Sequence, residues 1–169
     1  MINATAVEQL NSVQYLYLRQ LAEPRDNSLR LVVEESVLNR AGVASFHPEL
    51  PELEAILKDA SPIEPVEGCR VFEIHWKRYA AYLVTEELVG SNSLTGYDDE
   101  DYTGKILRVY TRSHFLDHLA RDTGGHTDPV QHYKLICLNH LIDVAAYAPP
   151  EVRVVAEHSE DATPSQRLT

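Results

Sequence analysis

A chain of 169 residues and 19.1 kDa is long enough for one domain with its own core, and 44% hydrophobic residues exclude a disordered polymer. Lys and Arg number 15 against 26 Asp and Glu, a formal net charge of -11, so nucleic-acid phosphates and anionic membranes are repelled and basic partners attracted. Two cysteines, Cys69 and Cys137, do not make a disulfide scaffold. The opening MINATAVEQLNSVQYLYLRQ has no basic stretch before an apolar run, and no segment approaches the roughly 20 apolar residues of a membrane span, so a soluble, cytoplasmic protein is expected.

Ala6, Leu10, Val13, Tyr17 and Leu21 fit a helical stripe, which leaves residues 5–22 open between helix and strand. The branched and aromatic residues of VQYLYLRQ (13–20) favour a strand after about residue 13. With LRLVVEE (29–35) across the turn-forming EPRDNS, they predict two antiparallel strands. PELEAILKDA (51–60) reads as a short helix opened by Pro51, with Leu53, Ile56, Leu57 and Ala60 as its apolar stripe. CRVFEIHW and YAAYLVTEEL then read as a hairpin around Lys77 and Arg78. Alternation puts Phe72, Ile74 and Trp76 on one face and Glu73, His75 and Lys77 on the other.

KILRVYT is a predicted strand, followed by a helix over SHFLDHLARDTGG that Ser113 caps and Gly124 and Gly125 end. HYKLICLN is a predicted central strand and EVRVV a last one, with residues 157–169 a polar tail behind a single domain of residues 1–156. Strands outnumber helices and their connections are short. The expected fold is α+β, a mainly antiparallel sheet with one or two short amphipathic helices packed on it.

Between YAAYLVTEEL and KILRVYT lies GYDDEDYTG (96–104). From Asp99 it matches part of a calcium-binding EF-hand loop, with Asp99, Asp101, Thr103 and Gly104 at the first, third, fifth and sixth positions. The twelfth position is Tyr110 instead of a bidentate Glu, and ILRVY reads as a strand where a helix is required. The same residues spell the D-x-D-x-T of haloacid-dehalogenase-like phosphatases, but the polar GSNSLTGY stands where a buried strand should project the first Asp. What survives both tests is electrostatic, either a solvated loop with two incidental tyrosines or a docking loop for a basic protein. No Lys or Arg occurs between Arg78 and Lys105, whereas Glu86, Glu87, Asp98, Asp99, Glu100 and Asp101 do. Tyr97 and Tyr102 add large contact area at low entropic cost.

His114 and His118 stand one helical turn apart, as paired metal ligands would, but Phe115 occupies the place of a zinc-protease glutamate. The helix divides into an apolar face of Phe115, Leu116, Leu119 and Ala120 and a polar face of His114, Asp117, His118 and Arg121. Cys137 and His140 suggest a nucleophile and base. Three residues apart in a strand they would point to opposite faces, which makes a buried free cysteine the expectation. His132, Asn139, His140 and Asp143 form a polar group without an assigned mechanism. G-x-G-x-x-G, Walker, G-x-S-x-G and C-x-x-C patterns are absent from the sequence.

Three segments, GCRVFEIHWKRYAAYLVTEE, RVYTRSHFLDHL and HYKLICLNHLIDV, resemble a group of small acidic bacterial proteins without an established activity, over residues 68–155. The resemblance transfers no functional residue. Proteins of this size and charge include bacterial immunity proteins, which neutralise a co-encoded toxin by capping its active surface. The expected function is accordingly a non-enzymatic binding protein of immunity type. Its basic partner, such as a toxin domain, would meet Glu86, Glu87, Tyr97, Asp98, Asp99, Glu100, Asp101 and Tyr102. No catalytic residue, cofactor, metal, nucleic acid or membrane enters that reading. Its alternatives are an enzyme or metal protein using the His114/His118 helix or the segment from His132 to Asp143, and a homo-oligomer pairing through an edge strand or the outer helix face.

Overall fold

The computed structural model describes residues 4–39, 61–91, 99–125 and 129–158. Helix α1 (Ala4–Ser12) leads into β1 (Tyr15–Ala22) and β2 (Leu29–Leu38). After β3 (Ile63–Glu64) come β4 (Arg70–Trp76), β5 (Tyr79–Glu86) and the one-turn helix α2 (Glu87–Ser91). Then follow β6 (Asp101–Thr103), β7 (Leu107–Arg112), α3 (His114–Asp122), β8 (Gln131–Ile136), β9 (His140–Ala146) and β10 (Glu151–Glu157). All pairings are antiparallel. Sheet I runs β1-β2-β4-β10 with β3 beside β2, and sheet II runs β5-β9-β8-β7-β6. The helix expected over 51–60 lies outside the described residues.

Alternation dictates the core. Register sets Leu29 against Trp76, Leu31 against Ile74 and Val33 against Phe72 on one face of sheet I, and all six side chains are buried. They share one apolar cluster with Leu107, Tyr133, Leu135, Ile142 and Val144 of sheet II. The Trp76 and Tyr133 rings meet at 6.0 Å between centroids. Burial of each large side chain contributes about 1.5–3 kcal/mol, so this cluster outweighs any single polar contact in the fold. Residues 5–22 turn out to be helix and then strand. Ala6 and Leu10 of α1 and Leu16 of β1 all enter the cluster.

The expected hairpin of β4 and β5 does not form. β4 pairs with β2 and β10, while β5 pairs with β9 in the other sheet. The chain changes sheets at Lys77 and Arg78, and the Tyr79 N–H then donates to the Asn27 carbonyl in the β1–β2 turn (2.9 Å). WKRY contains no residue suited to the φ > 0 positions of a two-residue hairpin turn, so local sequence does not hold the strands together. β9 and the short β6 were not anticipated, and neither was α2.

Two asparagines join the layers. Asn11 Oδ1, near the end of α1, accepts the backbone N–H groups of Lys105 (3.0 Å), Ile106 (2.9 Å) and Leu107 (3.1 Å) where β7 begins. In the β8–β9 turn, Asn139 accepts the Leu18 N–H (3.0 Å) and donates Nδ2–H to the Leu18 carbonyl (3.0 Å), while Leu138 N–H reaches the Leu16 carbonyl (2.8 Å). This side-chain amide stands in for a missing neighbour strand beside the β1 bulge between Leu18 and Gln20. Among the described residues no helix is long and apolar enough to cross a membrane.

Candidate functional site

The acidic segment and the clearest helix meet at one corner of sheet II. β7 runs into Ser113, whose extended backbone (φ -152, ψ 125) and Oγ, accepting from Leu116 N–H at 3.2 Å, make it the N-cap of α3, as expected. Helix N-termini present unpaired N–H groups and partial positive charge. Glu100 Oε1 takes the first of them, the His114 N–H, at 2.8 Å. Asp99 places one oxygen on His114 Nε2 (2.8 Å) and the other on Arg112 Nη2 (2.7 Å). Those two contacts, His114 first, hold the Asp99 carboxyl below its ordinary value. Part of the repulsion expected in this segment is therefore relieved inside the chain.

Asp101 and Tyr102 belong to β6, the edge of the sheet. Tyr102 faces Tyr110 across the ladder, 5.1 Å between ring centroids, and the Arg108 guanidinium lies 4.4 Å over its ring. The tyrosine is nevertheless 46% exposed. Glu86 and Glu87 sit at the end of β5 and the start of α2, on the other edge of sheet II. Four strand spacings separate the edges, about 19 Å. The two glutamates therefore do not share a compact patch with Asp101. Tyr97 and Asp98 lie outside the described residues.

Beneath the corner is a buried polar relay that sequence reasoning did not assemble. Ser113 Oγ lies 2.7 Å from His132 Nδ1, and His132 Nε2 lies 2.9 Å from Asp143 Oδ1. Ser113, His132 and Asp143 are 3%, 2% and 6% exposed. The Tyr110 ring stacks on the imidazole at 4.3 Å, Phe115 tilts against it at 5.1 Å, and Lys134 Nζ stands 3.3 Å from Asp143 Oδ1. With the imidazole neutral, the carboxylate fixes the proton on Nε2. Nδ1 is then left to accept from the Ser113 hydroxyl.

That connectivity is the hydroxyl–imidazole–carboxylate order of a serine hydrolase with the ring nitrogens exchanged. Its surroundings do not suit acyl transfer. The hydroxyl is buried and committed to capping α3, and the serine backbone is extended, not strained as at a nucleophile elbow. Glu100 also occupies the helix N–H that an oxyanion would need. The relay instead braces the start of α3 against the sheet. Register explains its assembly, since Tyr110, His132 and Ala145 stand abreast on β7, β8 and β9. No readable signal marked Asp143, since the apolar residues on both sides of it in LIDVAA give no alternation.

The other candidates separate. His114 engages Asp99, whereas His118 Nε2 faces Asp122 Oδ2 at 3.4 Å in an exposed pair. Among the described residues no three His, Cys, Asp or Glu side chains form a metal-holding group. Cys137 is buried as expected, but it stands in the β8–β9 turn, where its N–H donates to the His140 carbonyl at 2.9 Å. The opposite-face argument for a strand does not apply there. Burial pushes the thiol up to about 12, so almost no thiolate exists near neutrality. His75, on the strand face opposite Phe72, Ile74 and Trp76, is half-buried with Nε2 enclosed. No protein-family model, curated protein or solved structure matches the chain.

Proposed function

We propose that this chain is a non-enzymatic binding protein of the immunity type, which holds a basic partner such as a toxin domain against the corner formed by Asp99, Glu100, Asp101 and Tyr102. The observation that carries the reading is Tyr102, an exposed ring in contact with Arg108 and Tyr110 within an acidic rim. An aromatic anchor already fixed before binding loses little rotamer freedom in the complex. Asp99 and Glu100, tied to Arg112, His114 and the α3 N-terminus, hold the rim in place, and Asp101 faces outward. The net charge of -11 draws a cationic surface in from a distance. A cytoplasmic location and the resemblance to small acidic bacterial proteins belong to the same proposal, as does the packing of short helices on the sheets.

The test begins with capture from host lysate at low and high salt, followed by titration calorimetry on the partner identified. Tyr102→Ala should weaken binding by about 30-fold. Asp101→Lys should reduce the association rate and its salt dependence. A complex indifferent to salt and to both substitutions overturns the proposal.

A further inference from the structure

We draw no further inference here: the strongest candidate, the side-chain cluster at the β6 edge where Arg108 lies over the Tyr102 ring with its Nε buried and without a hydrogen-bond partner among the described residues, belongs to the corner already described, and nothing in the structure shows which acceptor it would take.

Discussion

His132 makes contacts that no other residue could replace together. It accepts from Ser113, donates to Asp143 and fills the space between Tyr110 and Phe115. Removing the ring leaves the Asp143 carboxylate buried with Lys134 as its remaining partner and uncouples the α3 cap from the sheet. His132→Ala should therefore cost about 3–4 kcal/mol in urea unfolding at pH 7. Ser113→Ala should cost about 1–2 kcal/mol, since it removes a cap and one hydrogen bond but strands no charge. The reverse order, or two near-neutral variants, would show that the relay does not brace the helix. Ser113 was legible as a cap because Ser before an apolar-periodic run is a local signal. The relay was not, because its members stand 19 and 11 positions apart and meet only through strand register.

Strand faces were readable and strand partners were not. Period-two alternation assigned Phe72, Ile74 and Trp76 to the core, but the same pattern suits either sheet, so the crossing at Lys77 and Arg78 was invisible. β9 hid because LIDVAA, buried on both faces, breaks alternation in its hydrophobicity. Asn139 shows what such long-range joins contribute. Asn139→Ala leaves the N–H and carbonyl of Leu18 without their partners at a half-buried position. A cost of about 1–3 kcal/mol is expected. Amide exchange should speed up at Leu18 before it does in β4, because the β1 edge would open separately from the core. Uniform acceleration across both sheets would refute a local role for this amide.

At the scale of the whole molecule, two electrostatic effects oppose each other as pH falls. The charge of -11 at pH 7 diminishes toward the isoelectric point near 5.1, which relieves self-repulsion. Below that point the paired carboxylates begin to count. Arg70, donating from Nε (2.7 Å) and Nη2 (2.9 Å), holds the Glu35 carboxyl below its ordinary 4.5, and His114 and Arg112 do the same for Asp99 below 3.8. A carboxyl whose folded value is depressed adds stability above its unfolded value, and that stability is lost as pH falls through the folded one. The melting temperature should therefore hold or rise from pH 7 to about 5 and then fall below about 4.5. Glu35→Gln should lower stability at pH 7 by about 1 kcal/mol and flatten the first part of that acid limb, because glutamine has no proton to take up. If the variant kept the full acid slope, the Glu35–Arg70 pair would not be what the acid titrates, and the loss would belong to the carboxylates at the α3 corner.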